Sequence, residues 1–211
     1  MSALPLAEGW PGPSAERAHL VMLPDHPGPY TVDDWLALPQ TEERIELIDG
    51  SFVVSPAPAA DHALCAQRLV RALLDAAPHD VEVVESPNVQ VGKEGFIPDV
   101  VVARAEPIVA GAVVLDCDDV LMVVEIVSPG NRKRDYVVKP PSYAEAGVPV
   151  FLRVELHAEG PMPLVEAFAE RGGEYEPLAT ARAGQILVLT DPFEVRLDPA
   201  ELTGPRRPRQ R

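Results

Sequence analysis

Two apolar runs in the middle of the chain constrain its fold most. One reads Phe-Ile-Pro-Asp-Val-Val-Val at 96–102, the other Leu-Met-Val-Val-Glu-Ile-Val-Ser-Pro at 121–129. Both are short, β-branched and bounded by Pro or Gly, the pattern of a buried strand. Each also carries one carboxylate, Asp99 or Glu125, where an apolar residue belongs. An ionised carboxylate in such a run is costly unless it is paired, hydrogen-bonded or bound to a metal. Residues two apart share a strand face, which puts Asp99 with Val101, and Glu125 with Val123 and Val127. If the strands are neighbours in register, both acids meet at one edge of a sheet. Two hard oxygen ligands with open positions suit Mg²⁺, which keeps several waters. The plainer reading is that each acid caps a strand end or pairs with an arginine.

The flanking segments supply the rest of an α/β chain. Residues 1–29 are rich in Pro and Gly and show no sustained period, so they read as an irregular arm. Thr31 can cap a short helix over 32–38, with Asp33 and Asp34 favourable in its first turn. Arg44–Pro56 reads as a hairpin turning at Asp49-Gly50. Glu46 is a third carboxylate among strand apolars, and a salt bridge to Arg44 or a neighbouring strand would also explain it. Asp61 can cap a helix through about Ala77, with Ala66, Leu69, Val70, Leu73, Leu74 and Ala77 on its buried face. His62 heads the same face, in a structural or a chemical role. Val81–Val91 predicts one strand, either continuous or broken at Ser86-Pro87, forming an antiparallel hairpin with Phe96–Ala103. Glu106–Asp119 reads as a loop and Val120–Val127 as the next strand. A short helix follows, starting at Pro140 or, by the Ser142/Glu145 capping-box spacing, later, and closing at Gly147. Val150–His157, Leu164–Arg171, Glu174–Thr180 and Gln185–Leu197 predict further strands, with Gly172-Gly173 a hairpin turn. This order implies an α/β sheet with a helix against each side.

At 211 residues the chain suits one domain. No apolar run reaches the roughly 18 residues that span a bilayer. The start of the chain lacks the basic opening and apolar core of a signal peptide. Cys65 and Cys117, the only cysteines, offer neither a disulfide framework nor a metal-ligand spacing. A cytoplasmic home without a membrane is the expectation. The formal net charge of −15 disfavours tight, non-specific nucleic-acid binding. Arg132, Lys133, Arg134 and Lys139 could form a local basic patch on this acidic surface. The tail Gly204–Arg211 holds four of the 18 basic residues and reads as a disordered, solubilising end.

The ordered pieces resemble the Uma-type putative restriction endonuclease family of the PD-(D/E)XK nuclease superfamily. They are Tyr-Thr-Val-Asp-Asp-Trp at 30–35, Arg-Ile-Glu-Leu-Ile-Asp-Gly at 44–50, Ile-Pro-Asp-Val-Val-Val at 97–102 and Val-Val-Glu-Ile-Val-Ser-Pro at 123–129. Arg-Asp-Tyr-Val-Val-Lys at 134–139 and Tyr-Ala-Glu-Ala-Gly-Val-Pro at 143–149 complete the set. The resemblance implies a restriction-endonuclease-like core with a mixed sheet flanked by helices and a β-rich C-terminal extension. The resemblance covers roughly residues 28–155 with a β-rich continuation behind it, and the chain as a whole reads as an arm (1–27), one nuclease-like domain (28–200) and a basic tail (201–211). The resemblance also implies an endodeoxyribonuclease using Mg²⁺ or Mn²⁺ on DNA, with Asp99, Glu125 and the Ile126 carbonyl as metal ligands. Glu46 would join that site. Superfamily members place a lysine two residues after the second acid, and here that residue is Val127. By the resemblance Lys139 takes its place; a solvated lysine at a helix start is the plain alternative. Two other readings stay open: a binding or assembly module on the same fold, and a hydrolase of a small phosphoester. Self-association is a further possibility that the sequence leaves open.

Overall fold

The computed structural model describes residues 26, 28–39, 43–128, 130–157 and 160–205. The expected N-terminal arm, apart from His26, and the end of the basic tail lie outside them. The first element is helix α1 (Val32–Leu36). The Thr31 hydroxyl accepts the Asp34 N–H, and the Asp34 carboxylate accepts the Thr31 N–H, a reciprocal cap. Strands β1 (Arg44–Ile48) and β2 (Ser51–Ser55) form the expected hairpin. Its turn residues Asp49 and Gly50 have φ of 48° and 67°, as a two-residue hairpin loop of this hand requires.

Helix α2 spans Ala60–Leu74. Its N-cap is Ala59, without a side-chain cap, so Asp61 is not the cap that its type suggests. Asp61 lies inside the first turn and accepts the His62 N–H at 2.9 Å. Cys65, Ala66, Leu69 and Leu73 are buried, whereas Leu74, at the helix end, is 46% exposed.

The predicted single hairpin over 81–103 is two hairpins in two sheets. Strand β3 (Val81–Glu85) pairs antiparallel with β6 (Val100–Arg104), and between them β4 (Val89–Val91) pairs with β5 (Glu94–Phe96). The chain bends at 86–88 and again at 97–99. Pro98 has no N–H for a ladder, so the run through Ala103 is interrupted and Asp99 stands in the bend just before β6. The predicted loop at 106–119 holds helix α3 (Ala105–Val109), the two-residue strand β7 (Leu115–Asp116) and a 3-10 turn.

Strand β8 (Val120–Val127) is the centre of the molecule. A π-helical turn at Arg134–Val138 then runs directly into α4 (Lys139–Glu145), which ends before Gly147 with its φ of 79°. The Ser142/Glu145 cap is not used, because Ser142 lies inside the helix and donates to Glu94 at 2.9 Å. The remaining strands are β9 (Val150–Glu155), β10 (Leu164–Arg171), β11 (Glu174–Arg182), β12 (Leu187–Leu189) and β13 (Val195–Leu197). Thus 185–197 is a hairpin of two short strands, not one strand.

The main sheet has the order β11-β10-β9-β8-β6-β3 and the second sheet β2-β1-β5-β4-β7. Alternation along Met122–Val127 divides the core, and a bulge opposite Val102 and Ala103 resets the phase so that Val120 falls on the side of Val123. Met122, Val124 and Ile126 face α2 residues Cys65, Ala66, Leu69 and Leu73. Val120 and Val123 pack in a separate core with Tyr143 of α4 and Phe96 of the second sheet. The result is a mixed α/β fold with a helix on each face of the main sheet. Among the described residues, no helix is long and apolar enough to cross a membrane. Cys65 and Cys117 are free, buried thiols, each pushed up to about 12 by burial.

Candidate functional site

Register builds the site. Strand β6 runs antiparallel to β8 with Val100 opposite Val124, so Asp99 stands opposite Glu125. Strand β1 pairs with β5 through Leu47 and Gly95, which brings Glu46 to the same place. The approach is close: a Cβ on Gly95 would come within 2.3 Å of the Trp35 ring. From the other side α4 delivers Lys139. Its ammonium donates to Glu46 Oε1 at 2.8 Å and to Glu125 Oε1 at 2.9 Å. The Tyr143 hydroxyl, one helical turn further, donates to the same Glu125 oxygen at 2.8 Å. Glu46 Oε1 also accepts the Ile97 N–H at 2.9 Å.

Asp99 is held by different groups. Its Oδ1 accepts from Arg44 Nη1 at 2.9 Å, and its Oδ2 accepts the Ile126 N–H at 2.8 Å. His62 Nε2 lies 3.1 Å from Asp99 Oδ2 and 3.1 Å from the Ile126 carbonyl oxygen. Thus Glu46, Asp99, Glu125, Lys139 and the Ile126 carbonyl, chosen from the sequence, are gathered in one buried cluster.

The sequence matches the model of the Uma2 family, described as a putative restriction endonuclease, over residues 32–200. The chain belongs to this family. A crystal structure of a putative nuclease belonging to DUF820 from Anabaena variabilis shares the fold. Its TM-score is 0.67 at 19% identity, over 82% of this chain and 96% of that chain. No curated protein matches the sequence.

Sequence reasoning missed several members of the Uma2 cluster. Asp135 and Tyr143 were missed: they stand four residues to either side of the expected Lys139, and all three are buried, so one helical face carries them. Arg44 lies two residues before Glu46, on the same strand face. Both spacings were visible in the sequence, but none of Asp135, Tyr143 and Arg44 interrupts an apolar run. The surface patch read from Arg132, Lys133, Arg134 and Lys139 does not form as expected. Lys139 is buried, Arg132 pairs with Glu155 at 3.0 Å, and Arg134 donates to Ser55 at 3.3 Å and to Asn131.

Charge is unevenly matched inside the cluster. Glu46, Asp99, Glu125 and Asp135 are buried carboxyls, facing Lys139, Arg44 and the titratable His62. Burial pushes the Glu125 carboxyl up to about 8; Lys139 opposes this, while Asp135, Asp99 and Glu46 add to it. Asp135 is likewise pushed up to about 7, chiefly by burial. Burial would raise Asp99 too, but the His62 hydrogen bond, the His62 and Arg44 charges and the Ile126 N–H hold it below the ordinary carboxylate value. Burial would lower Lys139, yet Glu125, Glu46 and Asp135 outweigh it and hold the ammonium above the usual lysine range.

A divalent cation fits the chemistry of these donors. Among the described residues, no group of three or more His, Cys, Asp or Glu side chains stands in a metal-holding arrangement. The oxygen set is two carboxylates and a main-chain carbonyl, the sparse kind that Mg²⁺ completes with water. An opening of about 100 Å³, lined by Arg44, His62, Asp99, Val127, Ser128 and His157, leads to the Asp99 side.

Proposed function

We propose that this Uma2 chain is a metal-dependent endonuclease that hydrolyses DNA phosphodiester bonds at the Asp99/Glu125 cluster, with Mg²⁺ or Mn²⁺ as cofactor. The observation that carries this reading is the negative excess of the cluster. Glu46, Asp99, Glu125 and Asp135 are all buried, and among the described residues the permanent cations beside these four carboxyls are Lys139, Arg44 and, next to Asp135, Arg134. Without a cation, such carboxyls must take up protons, which is the sense in which Glu125 and Asp135 are shifted.

Asp99, Glu125 and the Ile126 carbonyl would hold the cation. When bound, it supplies charge neutralisation at a phosphoryl oxygen and lowers the pKa of a water. Lys139 stays protonated across the working pH range, so it acts as a fixed positive charge rather than as a base. Placed between Glu46 and Glu125, it stabilises negative charge that builds up on the phosphoryl group. Glu46 fixes the ammonium and is itself fixed by the Ile97 N–H. Tyr143 orients Glu125 through its hydroxyl.

The test is nicking of supercoiled plasmid, and cleavage of single-stranded DNA, with Mn²⁺. Wild-type protein should cut and Asp99→Asn should not, while remaining folded by circular dichroism. A folded Asp99→Asn protein cutting at the wild-type rate would refute the site. A second reading, a binding or assembly module that has lost catalysis, is favoured by the net charge of −15 and the narrow opening. Wild-type protein that neither cuts DNA nor binds Mn²⁺ saturably would favour it instead. A hydrolase of a small phosphoester gains no support, because an opening of about 100 Å³ falls below the ~300 Å³ of ordinary ligand pockets.

A further inference from the structure

We infer that His157, oriented by Asp61 at the mouth of the site, is the general acid that gives a proton to the oxygen leaving phosphorus. This rests on the endonuclease reading above. His157 Nε2 lies 2.9 Å from Asp61 Oδ2. An ionised carboxylate only accepts, so Nε2 carries the hydrogen of this bond. The other carboxylate oxygen, Oδ1, accepts the His62 N–H at 2.9 Å within the first turn of α2. Asp61 is thereby tied to the helix backbone, and it in turn holds the ring of His157. Nδ1 of His157 makes no hydrogen bond among the described residues, and the side chain is 61% exposed. A carboxylate on one ring nitrogen and an open second nitrogen is the arrangement that holds a histidine for proton transfer.

Position selects the role. Asp61 and His157 both line the opening that leads to Asp99, and at about 100 Å³ it is so narrow that a phosphate group entering it meets all its walls. Lys139 closes the inner side, enclosed between Glu46 and Glu125. The nucleic-acid strand has no room there, so the strand and its departing oxygen stay on the outward side with His157. The other ionisable side chains lining the opening are Arg44, Asp61, His62 and Asp99. An arginine does not release its proton. His62 and Asp99 hold each other at 3.1 Å, the second nitrogen of His62 is buried, and Asp61 is engaged through both oxygens. Imidazole is the side-chain group that ordinarily both carries and releases a proton near neutral pH, and His157 is the imidazole with a nitrogen open to the mouth. The step balances. A water oxygen bonds to phosphorus and gives up a proton to solvent. The bond from phosphorus to the departing oxygen breaks, and its electron pair stays on that oxygen. That pair takes the Nδ1 proton of His157, and the neutral ring recovers a proton from solvent. Asp61 is the positioning residue, which also stabilises the imidazolium before transfer.

The experiment compares cleavage of ordinary DNA oligonucleotides by the full chain with cleavage of oligonucleotides carrying sulfur in place of the departing oxygen, both with Mn²⁺. The sulfur is placed at the 3′ bridging position in one set and at the 5′ bridging position in another, so that the departing atom is covered. A thiolate leaves without a proton, so the matching sulfur substrate needs no general acid. His157→Asn should slow the ordinary substrate about a hundredfold or more and leave the sulfur substrate close to the wild-type rate. Asp61→Asn should show the same pattern in weaker form. An exposed pair adds little to stability, so His157→Asn should melt with the wild type, and its Mn²⁺ affinity by calorimetry should be unchanged. Equal slowing on oxygen and sulfur substrates, or an ordinary substrate cut at the wild-type rate, would overturn the inference and leave the nuclease standing. Loss of Mn²⁺ affinity in His157→Asn would overturn it as well, making the ring a contact of the cation. Wild-type protein that cuts none of the substrates would overturn the endonuclease reading itself, and the inference with it.

Discussion

Replacing Glu125 with glutamine should protect the metal-free protein against alkaline pH, whereas replacing Asp99 with asparagine should weaken it. The two acids stand opposite each other but in different surroundings. Burial, reinforced by Asp135, Asp99 and Glu46, carries Glu125 from 4.5 to about 8 against the pull of Lys139. A carboxyl raised in the folded state contributes its full stability below its unfolded value. That contribution is lost as pH rises through about 8. Asp135, raised to about 7, acts with the same sign over an overlapping window.

At about 1.4 kcal/mol per pH unit, ionising Glu125 costs the fold about 5 kcal/mol at high pH. The Glu125→Gln protein would avoid that cost and keep an acceptor for Lys139 and Tyr143. The attraction of the ionised carboxyl for Lys139 is already contained in that raised value. The gain at pH 9 is therefore on the order of 5 kcal/mol, and near pH 5, where Glu125 is itself neutral, it falls close to zero.

Asp99 has the opposite sign. Its carboxyl is held low, so its contribution is present above the ordinary 3.8 and lost only as pH falls through its lowered value. Asp99→Asn leaves Arg44 and His62 without their partner. Breaking a buried pair costs ~3–5 kcal/mol, trimmed to about 2–4 here because the Arg44 side chain is 23% exposed. Urea denaturation in EDTA at pH 5, 7 and 9 reads all three proteins. Parallel profiles for wild type and Glu125→Gln, or an Asp99→Asn protein as stable as wild type at pH 7, would refute this electrostatic account.

The packing carries two further expectations. Leu73, 1% exposed on α2, should lose roughly 2–5 kcal/mol when changed to Ala, measured by the same denaturation, and a loss within error would mean that the helix packs by another face. Gly95→Ala drives a methyl group to 2.3 Å from Trp35, whose indole is buried and donates to the Ile45 carbonyl at 2.6 Å. A ring so fixed cannot swing aside, so thermal stability should fall by about 1–3 kcal/mol or more, and an unchanged melting temperature would contradict the approach of β5 to α1.

The site was legible where a charge interrupts an apolar run. Asp99 and Glu125 stand out against valines, and alternation puts Glu125 on a definite face of β8. The hairpin at Asp49-Gly50 was equally plain, because those residues accept positive φ. The break at Ser86-Pro87 was visible too, but sequence periodicity does not reveal that β4–β5 leaves for a second sheet; that is decided by long-range pairing. The end of β5 misled for a local reason. Val-Val-Val continues the apolar run beyond Pro98, so Asp99 reads as a strand residue although it stands in a bend. Asp135 and Tyr143 were hidden for a different reason. The face that they share with Lys139 begins in a π-helical turn, where sequence shows no apolar stripe to mark which side is buried.

The acidity of the chain and the burial of its cluster bear on the order of events at the site. Phosphate recognition ordinarily draws on exposed lysines and arginines, and a chain at −15 offers little long-range attraction. Lys139 cannot supply it, since its ammonium is enclosed between Glu46 and Glu125. Arg44 is committed to Asp99 and Arg132 to Glu155. A phosphodiester approaching the metal-free cluster would therefore meet buried carboxyls, and repulsion within the site would grow as Glu125 and Asp135 lose their protons. A divalent cation reverses that field at short range, where screening is weakest. On the proposed function the cation is thus more than a catalyst of the hydrolytic step. It makes the site able to receive a phosphate at all, so metal loading precedes productive DNA binding.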